Sequence, residues 1–301
     1  MDRLALLQPE ETAVYRIADV DVAIEASPNM LDLIQEAYRR FPRVSRPISG
    51  TITVRIVDSE DGEIWIYIGQ KAYARIAASL GRGHIAMEIA NAIITGVAEA
   101  SRFLVIHAAT VENDGRVVAI AGRSMTGKTL MTAHLLSRGW RLLSDDYAFV
   151  DPQSGNVVPF SKLLYMRALT IPLLPRTFRR AVERSSWYGF GERNGLAFWA
   201  VDPADSYGER VWSDGGRLHA ILFMGSDRGP NASVEDCDAW SVVPELNALV
   251  WQPHDLLESV SRLAVALRGV RVGRLRPGDP IGTANAVEAW TGRGMAAHGH
   301  D

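Results

Sequence analysis

Gly122-Arg123-Ser124-Met125-Thr126-Gly127-Lys128-Thr129 spaces two glycines, a lysine and a hydroxyl as a G-x4-G-K-[ST] loop, the arrangement that wraps nucleotide phosphates. Glycine at both ends lets backbone N–H groups converge closely on phosphate oxygens. Lys128 adds a mobile positive charge for the β and γ phosphates, and Thr129 a hydroxyl for Mg²⁺. Further on, Asp145 and Asp146 stand side by side. One such carboxylate can hold Mg²⁺ and the other can take a proton from an incoming hydroxyl. On its own the pair also fits a solvated turn after a strand. His107, after the apolar run Phe103-Leu104-Val105-Ile106, is a further candidate; a lone histidine there equally fits a satisfied structural residue.

The elements around these residues give the loop its weight. Val117-Val118-Ala119-Ile120-Ala121 is a short apolar run suited to a buried strand, and it feeds directly into Gly122. Lys128 to about Arg138 reads as the helix that follows, stopped by Gly139, with Leu130, Ala133, Leu135 and Leu136 inward. Its positive N-terminal end then faces the phosphates. Trp140-Arg141-Leu142-Leu143 reads as a second strand that delivers Ser144-Asp145-Asp146 at its C-terminal end, the edge where ligands sit in open α/β sheets. Strand, loop, helix, strand and acidic pair in that order predict a nucleotide site, with Thr129 and one of Asp145 and Asp146 on the metal.

The segment resembles HPr kinase/phosphorylase and the wider family of HPr-kinase-like proteins, which includes kinases encoded beside lasso-peptide precursors. In that family a histidine-bearing strand precedes a small hairpin, the phosphate loop, a helix ending in Arg-Gly and a strand ending in Asp-Asp. Here His107, Gly122 to Thr129, Arg138-Gly139 and Asp145-Asp146 fall in the same order. The resemblance spans roughly residues 100 to 290, with its specific motifs inside 107–146. It implies an α/β fold built on a P-loop kinase core of the HPr kinase and phosphoenolpyruvate carboxykinase type, with ATP and Mg²⁺ as cofactors. It also implies that Asp146 is the general base, with His107 beside it tuning or assisting the transfer. The departures are informative. The family more often has an acidic residue after the first glycine and a further glycine in mid-loop, where this chain has Arg123 and Met125 or its neighbours. Leu130 stands where the bifunctional enzymes tend to carry an acidic residue, which argues against a reverse phosphorylase activity. For the family's second metal-binding glutamate, a simple count lands near Ile171, and Glu183 and Glu192 are candidates.

A chain of 301 residues has room for two domains. Residues 1–100 read as a smaller N-terminal α/β module serving substrate recognition, assembly or simple packing. Residues 101–291 read as the catalytic domain, and 292–301 as a flexible tail in which His298 and His300 are no metal site. In the module, Thr12–Ile17 and Val20–Ile24 read as paired strands, and Ser27-Pro28 as the cap of a helix from about Asn29 to Arg40. Thr51–Val57 and Glu63–Ile68 form a hairpin around Asp61-Gly62. His84–Ala100 is a helix with Ile85, Ile89, Ile93 and Val97 on one stripe.

Beyond Asp146, strands are expected at Tyr147–Val150, Val157–Phe160, Leu218–Met224, Ala239–Val243 and Val270–Leu275, and helices at Gln252–Arg268 and Thr283–Trp290. His219 lies inside one of these strands and reads as structural. The segment from Arg176 to Phe190, rich in arginine and aromatics, fits either a mobile loop that clamps phosphate or peptide, or a surface connection with rings packed down. Arg193, Arg210 and Arg217 are the candidates for stabilising transition-state charge.

Thirty-two basic residues against 35 acidic ones leave a formal net charge of −3, mixed along the chain, so neither a nucleic-acid nor a membrane-surface footprint is expected. A single cysteine, Cys237, excludes an intrachain disulfide framework and suits a reducing cytoplasm. The opening residues carry no signal pattern, and no apolar run is long enough to span a bilayer. Homo-oligomers are common in the resembling family, although the apolar stripes here are equally explained by the core. The expected activity is an ATP- and Mg²⁺-dependent kinase acting on a hydroxyl, foremost a serine of a protein or peptide such as the tail of a ribosomal precursor. A small-molecule hydroxyl kinase and a non-catalytic, ATP-dependent regulator are the alternatives.

Overall fold

The computed structural model of the chain describes residues 11–47, 50–190, 197–251 and 256–292. It is a mixed α/β structure with three sheets among the described residues. Two compact units divide it. The first comprises Met1–Arg102, Ser161–Ala168 and Arg184–Asp202, and the second Phe103–Phe160, Leu169–Glu183 and Pro203–Asp301. A single boundary near residue 100 therefore describes only the first break, because two later segments return to the first unit.

Alternation builds the first unit. β1 (Glu11–Ile17) and β2 (Val20–Ala26) pair antiparallel, α1 (Pro28–Ala37) crosses over, and β3 (Ile52–Asp58), β4 (Glu63–Ile68) and β5 (Lys71–Ala77) complete a sheet in sequence order. β2 and β3 run parallel, as a helical crossover requires. Tyr15, Ile17, Val22, Ile24, Val54, Ile56, Ile64 and Ile66 are buried, every second residue on its strand. α1 starts at Pro28 and stops at Ala37, short of Arg40. Ser27 occupies its N-cap position, but its hydroxyl donates to Asp58 (2.7 Å) instead of capping. α2 (Arg82–Ala100) buries Ile85, Ile89, Ile93 and Val97, and most of its other residues as well.

The second unit begins with the hairpin β6 (Leu104–Asn113) and β7 (Arg116–Ala121), whose two-residue turn puts Asp114 at φ 51° and Gly115 at φ 77°, the signature of a type I′ turn. α3 (Lys128–Leu136), β8 (Arg141–Ser144), β9 (Tyr147–Val150) and β10 (Asn156–Val158) follow. β11 (Leu164–Arg167) then belongs to the first unit, and α4 (Arg176–Arg184) follows a 3₁₀ stretch over Ala168–Leu173. β12 (Tyr188–Phe190) and β13 (Ala197–Val201) join β11 in a three-stranded antiparallel sheet, order β11-β13-β12. This small sheet explains why α2 is buried all round. β12 lies so close that a Cβ on Gly83 would fall 2.9 Å from the Tyr188 carbonyl, and one on Gly189 2.6 Å from the His84 nitrogen.

The chain returns to the second unit through the short α5 (Ala204–Tyr207), then β14 (Gly216–Met224), β15 (Ser233–Asp236), α6 (Ala239–Asn247), α7 (Leu256–Ala266), β16 (Arg271–Arg276) and α8 (Pro280–Thr291). Its eight-stranded sheet runs β10-β9-β6-β7-β14-β16-β15, with β8 also on β6, and β10 also pairs β14. β7, β14 and β16 run parallel, so their C-terminal ends share one edge. Val242, Val243 and Leu246 of α6 and Leu263 and Ala266 of α7 join Ala119, Ala121, Ile221 and Val272 in one core cluster.

One element differs outright from expectation. Ala239–Val243 is the first half of α6, not a strand. Its valines suggest β structure, but Asp238 accepts a hydrogen bond from the Trp240 N–H (3.0 Å) and caps a helix. Val242, Val243 and Leu246 then face inward at helical spacing while Trp240 is 64% exposed. The sheet instead uses β15, an exposed edge strand with no apolar alternation to announce it. The Arg176–Phe190 segment is α4 followed by β12, with Phe178, Val182 and Trp187 buried. Of the expected helix Gln252–Arg268, residues 252–255 lie outside the described residues, as do most of the tail, His298 and His300.

α3 also carries a titratable group in its packing. His134 is buried, and its Nε2–H donates to the Leu173 carbonyl (2.8 Å). Burial pushes its pKa below the ordinary 6.5, with the carbonyl bond pulling the other way. The unfolded chain therefore takes up this proton first, so the contribution is present above pH ~6.5 and is lost as pH falls through the depressed value. Thermal melts between pH ~7.5 and ~5.5 should show a smaller loss in His134→Gln, whose amide can still donate to Leu173, than in the parent. An equal loss in both would remove His134 from the account.

Candidate active site

β7 is flanked by β6 and β14, and Val117 to Ala121 are all at most 1% exposed. A strand buried on both sides explains its unbroken apolar sequence. It ends at Gly122, where a Cβ would lie 2.8 Å from the Met224 carbonyl of β14, so only glycine lets the chain leave the sheet this tightly. The loop that follows turns through Met125, left-handed at φ 71° with its side chain 73% exposed. The Thr126 hydroxyl donates to the Arg123 carbonyl (2.9 Å). Gly127, at φ 107°, is the N-cap of α3, a conformation that favours glycine. Arg123 and Ser124 are exposed, whereas Thr126 and Lys128 are buried.

Lys128, the first residue of α3, folds back over the loop. Its Nζ donates to the carbonyls of Gly122 (2.9 Å) and Arg123 (3.1 Å). Burial lowers its pKa from the ordinary 10.5, and the charges of Asp146 and Asp145 pull it back up. The carboxylate pair is thus electrostatically coupled to the loop lysine.

Strand β6 supplies the reason that both aspartates project here. Its second half has β7 on one side and β8 on the other, while its first half pairs with β9. Thr110 is opposite Ser144, and His107 is opposite Tyr147, so Asp145 and Asp146 fall in the break between two collinear ladders. The Ser144 hydroxyl spans that break by accepting the Tyr147 N–H (3.1 Å). Asp145 is 2% exposed and accepts the Thr129 hydroxyl at 3.0 Å. Asp146 faces His107, whose Nε2 lies 3.9 Å from its Oδ1; the two side chains are 25% and 30% exposed. That separation suits an ion pair with protonated His107 and exceeds a hydrogen bond. The imidazole packs beside Tyr147, ring centroids 6.2 Å apart, and Tyr147 in turn meets Phe160 and Trp251 edge-on.

Lys128, Thr129, Asp145, Asp146 and His107 therefore meet at the C-terminal edge of the parallel strands, the edge where open α/β sheets take ligands. The charge candidates divide differently. Arg217 sits at the N-terminal end of β14, opposite Asn156, while the loop lies beside that strand's other end. Arg210 lies on an exposed 3₁₀ turn before Trp212, which bridges Leu142. Glu183 is an exposed residue of α4, and Arg193 and Glu192 lie outside the described residues. His219 is exposed at a bulge in β14. The basic residue that sequence reasoning passed over is Arg228, in the loop after β14. A Cβ placed on Gly127 would be 3.5 Å from its guanidinium. The available signal was topological: β14 runs parallel beside β7, so its following loop must reach the phosphate-binding end.

No described helix is long and apolar enough to cross a membrane. No family model matches the chain, and no curated protein matches it. Among solved structures, the chain is similar to the Hpr(Ser) kinase/phosphatase from Coxiella burnetii at 14% identity, covering 64% of this chain and 99% of that one with a TM-score of 0.31.

Proposed function

We propose that the chain is an ATP- and Mg²⁺-dependent phosphotransferase that moves the γ-phosphate to a hydroxyl, with a serine of a peptide or protein as acceptor. The observation that supports this most is the convergence of a glycine loop's lysine and threonine with two adjacent carboxylates in different settings. One carboxylate is buried on the Thr129 hydroxyl and the other is part-exposed beside His107. That split fits two roles: one group held for a metal, the other open to a substrate.

The donor set suits Mg²⁺. A hydroxyl and a carboxylate oxygen are hard ligands, and Mg²⁺ takes one or two protein carboxylates while keeping waters and substrate phosphates. Thr129 and Asp145, 3.0 Å apart through the threonine hydroxyl, are the residues that would hold it. When bound, the ion offsets charge on the phosphate oxygens. The chain's own residues do the rest. Lys128 exchanges its two loop carbonyls for phosphate oxygens, and the loop amides neutralise the same charge. Asp146 accepts the proton of the acceptor hydroxyl as its oxygen bonds to phosphorus and the bond to the departing diphosphate breaks. His107 orients Asp146, and Arg228 adds positive charge beside Gly127. Phosphoryl transfer asks mainly for such positioning and charge stabilisation. The peptide or protein acceptor follows from the resemblance over 107–146.

The test is incubation of the full chain with γ-labelled ATP and Mg²⁺ against serine-ended peptides, the phosphocarrier protein HPr and free serine, read by intact mass. One added phosphate on a peptide or protein is expected. Label only on free serine would move the reading to a small-molecule kinase. ATP binding with transfer to nothing would sink the phosphotransferase and leave a nucleotide-dependent regulator.

A further inference from the structure

α4 departs from the charge balance of the rest of the chain. The protein as a whole is at −3, yet this one helix, RTFRRAVER, holds Arg176, Arg179, Arg180 and Arg184 against Glu183 alone. Its inward face is accounted for: Phe178 and Val182 are buried, and Phe178 stacks on Tyr207 with centroids 6.0 Å apart. Arg179 is used structurally, donating to the Pro172 and Leu174 carbonyls and fixing the start of the helix. Arg176, Arg180 and Arg184 are not. Spaced four apart, they line one stripe, all are exposed, and among the described residues no carboxylate pairs with them. Just ahead of the helix, Leu169 is 74% and Leu173 47% exposed.

This patch is tied to the candidate active site through one contact. The Leu173 carbonyl accepts from His134 on α3, the helix whose first two residues are Lys128 and Thr129. At a rise of ~1.5 Å per residue, His134 is roughly 9 Å along the axis from Lys128.

Three guanidinium groups on one helix stripe, with two exposed leucines just ahead of it in the chain, match a ligand with carboxylates and apolar side chains together. A phosphodiester backbone would use the arginines but leave the leucines uncovered, and it would want a wider basic footprint than two turns of helix in an acidic protein. We propose that the outer face of α4, with Leu169 and Leu173, docks an acidic segment of the peptide that receives the phosphate. The inference rests on the peptide-kinase reading and adds the charge of the substrate to it.

The test uses three fluorescein-labelled, serine-ended peptides of one sequence, carrying glutamate, glutamine or lysine at the same upstream positions. Their binding to the full chain is read by anisotropy without ATP, beside the variant Arg176→Glu/Arg180→Glu. The glutamate peptide should bind most tightly, lose affinity with added salt, and weaken by about tenfold or more in the variant, as two exposed pairs turned repulsive would give. The lysine peptide should bind the variant better than the parent. Both exposed substitutions should leave the melting temperature unchanged, which separates docking from folding. Unchanged affinity for the glutamate peptide in a folded variant would overturn the proposal. So would an oligothymidylate that binds the patch more tightly and displaces that peptide. Phosphate transfer then separates the two ideas: equal kcat/KM for all three peptides overturns docking and keeps the kinase. Arginine-dependent binding without transfer keeps docking and overturns the kinase.

Discussion

Replacing Asp146 by asparagine is expected to lower phosphate transfer by about 10²- to 10⁴-fold, the usual contribution of a positioned general base, while ATP affinity stays within about twofold. Asp146 is the part-exposed member of the pair, 3.9 Å from His107, whereas Asp145 is the one engaged with Thr129 at 3.0 Å. Asparagine keeps the volume and leaves the buried carboxylate alone, so the loop and the Thr129–Asp145 contact remain for nucleotide and metal. What is lost is a group able to take the acceptor's proton. Asp145→Asn should behave differently: metal dependence should shift to higher Mg²⁺ along with a loss of rate. Calorimetric ATP binding and single-turnover transfer on the same preparations distinguish the two. Wild-type transfer by Asp146→Asn would show that another group is the base.

The strands and helices that bear the site were legible because local rules and tertiary demand agree there. A strand buried on both sides must be continuously apolar, and Val117–Ala121 is. A chain leaving such a strand against a neighbour's carbonyl must use glycine, and Gly122 is there. What was not legible came from partners distant in sequence. The break that presents Asp145 and Asp146 depends on how β6 divides its pairing between β8 and β9, which no local pattern encodes. The placement of Arg217 at the wrong end of its strand, and of Arg228 at the right one, follows from β14 lying parallel to β7. In Ala239–Val243 the β-branched composition points to a strand, while the Asp238 cap decides for a helix. β11, β12 and β13 are short and mixed in burial; they make sense only against α2, far earlier in the chain.

Lys128→Ala carries the second large effect, because this side chain couples loop, carboxylates and phosphate. In the structure Lys128 is 6% exposed and its ammonium is satisfied by two loop carbonyls. Charge-assisted hydrogen bonds are worth about 1.5–3 kcal/mol, so ATP affinity should fall by roughly 10- to 150-fold, with transfer reduced as well. Arginine should not rescue it, since a planar guanidinium does not fit a slot built for one buried ammonium. The pH dependence gives an independent check. Burial sets the lysine's folded pKa below 10.5, against the pull of Asp146 and Asp145. In the free protein the unfolded chain therefore holds the proton to higher pH, and this group's contribution to stability rises as pH climbs from the depressed value toward 10.5. Nucleotide binding has the opposite sign: it needs the ammonium and should weaken as pH rises through that same depressed value. ATP titrations up to pH ~10 should show this loss in the parent and a flat profile in Lys128→Ala. Equal ATP affinity in the two proteins at neutral pH would mean that Lys128 caps the loop without reading phosphate, and the nucleotide assignment would fall with it.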